Sequence, residues 1–190
     1  MNTEYEAKFP NIDKDAMRKK LQECGATLIY PEFLQVRAEF DMPHMVGNFG
    51  EYVRVRQESD KVTMTYKNHQ TDQIDGVQEI ELIINDYQSG VDFLKTLGAI
   101  QTCHKENYRE KWMLNDAEVT LDTYPFLEPY VEVEGSSVKS VIETANKLQL
   151  DMDTKLSDTN AALYAQKYSI TKEEAIHLPK MVFDMPNPFL

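Results

Sequence analysis

The chain has 190 residues, 42% hydrophobic and 27% charged, which suits one domain, or one domain with a tail, able to bury a core without disulfides. Its net charge of −12 argues against general nucleic-acid binding and against docking on anionic membranes. No apolar run approaches the ~18 residues of a membrane span. Acids stand at Glu4 and Glu6 where a signal peptide would need apolar residues, and Cys24 and Cys103 lie far apart, which predicts reduced thiols and a cytoplasmic protein.

The first strand is expected over Tyr5–Phe9. Asp13 then caps a helix that carries Met17, Leu21 and Cys24 at i, i+4, i+7 and ends at Gly25. Strands follow at Leu34–Phe40, Glu51–Gln57, Lys61–Asn68 and Gln78–Ile84, with turn signals at Ser59-Asp60 and Asp75-Gly76. A second helix follows Asp86, carries Tyr87, Val91 and Leu94, and ends at Gly98. Strands at Lys105–Leu114, Glu118–Thr123 and Tyr130–Glu134 come next, the first two joined at Asn115-Asp116. A third helix follows Ser136 and Ser137 with Val138, Ile142 and Ala145 on one stripe. Each helix has one apolar face and should lie on a sheet, and the short turns favour antiparallel pairing. Glu-x-Glu recurs at Glu4, Glu79 and Glu132, each time closing a strand that leads into a helix. That weak repeat suggests strand–helix halves of one sheet rather than separate domains.

The texture changes after Leu150. Helices are expected over Asp158–Tyr168 and, capped by Thr171, over Lys172–His177. Pro179, Pro186 and Pro188 exclude a helix or a central strand at the end. The main domain is therefore drawn over 1–168, and 169–190 as an extension packed on it or on a second copy in a homodimer.

Successive strand side chains face opposite ways. Arg54 and Arg56 oppose Val53 and Val55; Thr65 and Lys67 oppose Met64 and Tyr66; Glu79 and Glu81 oppose Ile80 and Leu82. Lys105, Asn107, Arg109 and Lys111 oppose Tyr108 and Trp112, Thr120 and Asp122 oppose Val119 and Leu121, and Glu132 and Glu134 oppose Val131 and Val133. Alternation alone fits a half-buried sheet with a solvated charged face. Two observations weigh against it: the signs are segregated by strand, where a solvent face mixes them, and the pattern recurs on most strands. A sheet so charged on one face could close into an eight-stranded barrel with the charges inside. The inward acids would be Glu4, Glu6, Glu79, Glu81, Asp122, Glu132 and Glu134, and the inward bases Lys8, Arg54, Arg56, Lys67, Lys105, Arg109 and Lys111. Clustered acids suit a hard divalent cation, Mg²⁺ or Mn²⁺, and clustered Arg and Lys suit phosphate oxygens.

These residues resemble the CYTH family, the triphosphate tunnel metalloenzymes, which include class IV adenylate cyclases, thiamine triphosphatases and inorganic triphosphatases. The resemblance rests on Glu4-Tyr5-Glu6-Ala7-Lys8, Tyr52-x-Arg54-x-Arg56, Thr65-x-Lys67, Glu79-x-Glu81, Arg109-x-x-Trp112, Leu121-Asp122 and Glu132-x-Glu134, in family order over about residues 1–150. It implies an α+β fold, an eight-stranded closed antiparallel tunnel with helices outside. Glu4, Glu6, Asp122, Glu132 and Glu134 are the implied metal ligands. Lys8, Arg54, Arg56, Lys67 and Arg109 are the implied phosphate-binding bases, joined on the same face by Lys105 and Lys111. Glu79 and Glu81 would orient the bases or help with a second metal. Glu4, Glu6, Lys8 and Arg56 are the expected catalytic residues. One departure stands out: two residues before Arg109, where the family often has another base, this chain has Asn107. The implied activity is metal-dependent hydrolysis of a triphosphate-containing small molecule. The alternatives are a cyclase that makes cyclic AMP and pyrophosphate from ATP, and a non-catalytic polyphosphate-binding module.

Among other residues, His44, His69, His104 and His177 show no paired spacing for zinc. Trp112 has the parity of the core, Tyr52 that of the tunnel, and Lys155 is a candidate for capping the tunnel mouth.

Overall fold

In a computed structural model the chain is described at every residue except Phe49, Ser157, Asp158 and His177. The elements run β1 (Asn2–Phe9), α1 (Lys14–Glu23), β2 (Thr27–Asp41), β3 (Glu51–Gln57), β4 (Val62–His69), β5 (Val77–Ile84), α2 (Tyr87–Thr96), β6 (Ile100–Leu114), β7 (Ala117–Thr123), β8 (Tyr130–Gly135), α3 (Val138–Lys147), α4 (Asn160–Tyr168), α5 (Lys172–Ile176) and β9 (Lys180–Met181). Eight strands pair antiparallel in the order β2-β3-β4-β5-β1-β8-β7-β6, and β6 pairs back with β2 to close the barrel. The short β9 lies outside, parallel to β6 at His104 and Lys105. The fold is α+β, a closed tunnel with helices packed around it, as the alternation suggested.

All eight expected strands form. β2 starts at Thr27 rather than Leu34, and β6 at Ile100 rather than Lys105. The added length of β2 pairs irregularly with β6, with register shifts between Leu28 and Tyr30 and between Tyr30 and Phe33, the second spanning Pro31. Proline cannot donate to the ladder and Leu28-Ile29-Tyr30 does not alternate, so the period-2 signal fails there.

The helices begin where the caps predict. Asp13 accepts from Ala16 N at 2.8 Å, Asp86 from Ser89 N at 2.7 Å and Ser137 from Ser140 N at 3.2 Å. Gly25 and Gly98 follow the first two helices with φ of +79° and +89°, the left-handed conformation that glycine adopts without strain. α1 and α3 pack Leu21, Val141 and Leu148 against Ala7, Val119 and Val133 on the outer face of the barrel. α2 packs Val91 and Leu94 against Ala38, Phe40 and Val55. A side chain such as Leu21, with no exposed surface, is worth about 2 kcal/mol of apolar burial. The hydrophobic core is thus a shell between barrel and helices, and the barrel interior is left to the charges. Trp112 sits in that shell with its indole N–H donated to Glu110 at 2.7 Å, and Arg18 of α1 holds the same carboxylate from outside.

The C-terminal segment packs on the domain. Tyr164 and Tyr168 of α4 meet the Phe189 ring at 5.2 and 4.4 Å, and Phe183 lies 4.8 Å from Tyr108. Thr171 and Glu174 form a reciprocal cap at the start of α5. Asp158 and His177, to which the sequence extended these two helices, lie outside the described residues.

Candidate active site in the tunnel

The barrel encloses a cavity of about 630 Å³. Of the fourteen inward charges predicted from alternation, thirteen line it: Glu4, Glu6, Lys8, Arg54, Arg56, Lys67, Glu79, Glu81, Lys105, Arg109, Lys111, Glu132 and Glu134. Asp122 stands behind the wall with no exposed surface. Its two oxygens accept from Arg109 at 2.8 and 2.7 Å, from the Asn107 amide at 2.9 Å and from the Thr120 hydroxyl at 2.9 Å. This geometry fixes the Arg109 fork against the wall. Arg109 also reaches Glu132 at 3.0 Å, and with burial opposed by Asp122 and Glu132 its guanidinium is held charged well above its ordinary range.

Strand register turns segregation by strand into rows. Glu6 pairs with Glu134 across β1 and β8, and Glu134 with Glu118 across β8 and β7. Three acids therefore stand abreast. Glu6 is held by Lys8 at 2.5 Å, and Glu118 by Lys111. Glu134, between them, has no ion pair among the described residues, and burial together with Glu4, Glu118, Glu6 and Glu132 pushes its carboxyl up to about 8. Next to this row, Glu4 accepts from Lys67 at 2.6 Å with both oxygens, and Lys67 lies 3.7 Å from Glu79. Glu132 is 3.3 Å from Lys8; despite burial, Lys8, Arg109 and Lys67 hold it well below the usual carboxylate range.

On the other side, Arg37 of β2 is in register with Lys105 of β6 and with Arg56 of β3, giving three bases abreast. Lys105 is paired with Glu39 at 2.5 Å and Arg56 with Glu58 at 2.5 Å. Burial and the neighbouring Arg54, then Arg109 and Arg37, push Arg56 down to about 10, so it stays charged at neutral pH. Arg54, 5% exposed, has no ion pair among the described residues and its Nε has no hydrogen-bond partner. Glu81 lies 3.8 Å from Arg56 and accepts from Thr65 at 3.2 Å, so Glu79 and Glu81 both stand beside bases.

Sequence reasoning passed over Arg37, Glu39, Glu58, Lys61 and Glu118, all in the lining. Four carried a signal: Arg37 and Glu39 alternate with Val36, Ala38 and Phe40 in a predicted strand, Lys61 shares the parity of Thr65 and Lys67, and Glu118 shares that of Thr120 and Asp122. Tyr52 lines the cavity and stacks on His69 with centroids 6.0 Å apart. The lining includes Asn160 and Ala161 of α4 and Ile176 of α5 but not Lys155.

The donors of the acidic patch are all carboxylate oxygens, the chemistry of a hard divalent cation, and Glu134 lacks a counter-charge. Among the described residues no three acids, histidines or cysteines converge into a formed metal cluster, and Glu4 and Glu6 are held by lysines. The chemistry of the donor set fits such an ion.

A closed eight-stranded tunnel with this charged lining defines a class, and the family comparison agrees with it. The CYTH domain model matches residues 2–163, so the chain belongs to the CYTH family. No curated protein matches it in sequence. Among solved structures, PH1012 from Pyrococcus horikoshii is 20% identical over 84% of this chain and 98% of its own, with a TM-score of 0.71. A Vibrio parahaemolyticus protein provisionally named an adenylate cyclase is 12% identical over 86% and 98%, at 0.73. HpAC1 from Hippeastrum is 15% identical over 90% and 97%, at 0.57. At these identities the likeness is one of fold.

Proposed function

We propose that the protein hydrolyses a triphosphate-containing small molecule inside the tunnel, with Mg²⁺ or Mn²⁺ as cofactor. The observation that carries this reading is the pairing of one acidic row with one basic row in a single cavity, each with a member that lacks a counter-charge. Phosphoryl transfer needs alignment and charge neutralisation more than covalent help. Arg54, Arg56, Lys67, Lys105, Arg109 and Lys111 hold phosphate oxygens and stabilise the charge that develops as the terminal P–O bond breaks. Water attacks the terminal phosphorus, orthophosphate leaves, and the rest departs as a diphosphate. Lys8 and Lys67 cover the acids until substrate arrives, then turn to its oxygens. Glu4, Glu6, Glu134 and Glu132 would hold the divalent cation, which neutralises phosphate charge and lowers the cost of bringing the chain of phosphates beside the acids. Asp122 acts by orienting Arg109. The dominant triphosphatase activity described for HpAC1, provisionally an adenylyl cyclase, supports hydrolysis as chemistry this fold can perform.

The test is product analysis with ATP, thiamine triphosphate and tripolyphosphate under Mg²⁺ or Mn²⁺. Orthophosphate and the matching diphosphate are expected. Cyclic AMP and pyrophosphate from ATP would make it a cyclase, and tight binding with no turnover would make it a binding module.

A further inference from the structure

Arg37 lies outside the charged motifs of the sequence, yet it occupies the centre of the basic row. We propose that Arg37 is a phosphate-binding residue of the tunnel and supplies from β2 the base that β6 lacks at Asn107. The inference rests on the triphosphate reading above.

Arg37 is 6% exposed and lines the cavity. A buried charge is costly unless it is paired. Lys105 and Arg56, its neighbours in register, each have a carboxylate, and Arg109 has two. Arg37 has none within salt-bridge distance among the described residues. Its guanidinium donates to two neutral oxygens, Gln35 Oε1 at 3.2 Å and Asn107 Oδ1 at 2.5 Å, and lies 5.2 Å from the Tyr124 ring centroid. Its Nε is buried without a partner. An arginine kept for stability would have been given an acid, and three cations abreast would have been avoided. The fork is instead held in place and left with charge to spare, as an anion site requires.

Asn107 completes the argument. Its amide nitrogen donates to Asp122 at 2.9 Å while its oxygen accepts from Arg37. A lysine or arginine there offers no acceptor and would repel the guanidinium. The neutral amide at 107 therefore suits the base at 37: it accepts from the guanidinium on one side and donates to Asp122 on the other.

The test is calorimetric titration of metal-free protein with tripolyphosphate, together with thermal melting of the ligand-free protein. Arg37→Gln is expected to weaken tripolyphosphate binding roughly 10- to 100-fold. It should leave the melting temperature unchanged or raise it, because one of three crowded cations is gone. Arg37→Gln combined with Asn107→Lys should recover part of the affinity. Affinity equal to that of wild type, or a lowered melting temperature with affinity retained, overturns the proposal. If Arg37→Gln does not fold, Arg37→Lys carries the test: it keeps the charge and loses the fork, so about tenfold weaker binding at an unchanged melting temperature supports the role, and unchanged binding overturns it. Wild-type protein that binds no tripolyphosphate overturns the triphosphate reading itself, whatever the variants do.

Discussion

The two charged rows are built alike and finished differently. Lys105, Arg37 and Arg56 stand abreast on β6, β2 and β3; Glu6, Glu134 and Glu118 stand abreast on β1, β8 and β7. In each row the outer members are paired and the middle one is not. The basic middle member, Arg37, is buried and held by Gln35, Asn107 and the face of Tyr124. The acidic middle member, Glu134, is half-buried, and its carboxyl is pushed up to about 8 by burial and by four acidic neighbours. Its flanking acids are covered by Lys8 and Lys111, and Glu4 by Lys67. Under the proposed function the basic wall receives an anion, whereas the acidic wall exchanges lysines for another cation. On this reading the divalent ion arrives with the triphosphate rather than before it.

The largest expected effect comes from breaking the acidic row at its end. Glu6→Gln should lower metal-dependent turnover by about 100-fold or more; it relieves repulsion in the acidic row but also removes the buried pair with Lys8, so the ligand-free thermal melt should fall. Full activity in this variant would undo the metal-site assignment. On the basic wall, Arg56→Ala should weaken tripolyphosphate binding about 10- to 100-fold and flatten its dependence on salt, which calorimetry at two ionic strengths reads directly. Glu134→Gln should raise the melting temperature of the ligand-free protein by about 2–4 °C and shrink the stabilisation that Mg²⁺ or Mn²⁺ gives in the presence of tripolyphosphate. A lower melting temperature would show that Glu134 is paired after all.

The smallest effect concerns Glu39. Burial raises its carboxyl, but Lys105, Arg37 and Arg54 outweigh burial and hold it below its usual value. A carboxyl lowered by folding stabilises the native state above its unfolded value near 4.3, and that contribution is lost as pH falls through the folded value. Glu39→Gln should thus lower stability at neutral pH, where the pair with Lys105 contributes, flatten the acid limb of a pH–stability curve, and converge with wild type at the acid end.

Much of this fold was legible because its core is a shell. Most strands alternate between outward apolar residues and charges in the tunnel, as in Val53, Arg54, Val55 and Arg56, and each early helix carries an Asp or Ser cap that the structure uses. The period failed at Leu28–Tyr30, where the β2–β6 pairing shifts register near Pro31, and the start of β2 was foreseen seven residues late. Within the site, residue type and parity placed thirteen charges on the lining, but not who meets whom. That Lys67 covers Glu4, that Asp122 turns to Arg109, and that Arg37 stands between Lys105 and Arg56 are consequences of register across strands far apart in sequence. Arg37 and Glu39 had the right parity and were passed over because no motif singled them out. Glu58 lies just outside β3, where alternation says nothing of direction, whereas Lys61 had the tunnel parity of Thr65 and Lys67 in the strand expected over Lys61–Asn68 and was passed over for want of a motif.

Phosphorus NMR of tripolyphosphate incubated with the protein, in Mg²⁺ and in excess chelator, tests the account most directly. The account predicts conversion to orthophosphate and pyrophosphate with the metal, and intact but protein-bound tripolyphosphate without it. Tripolyphosphate that stays free and intact in both conditions, beside protein that remains folded, would contradict it.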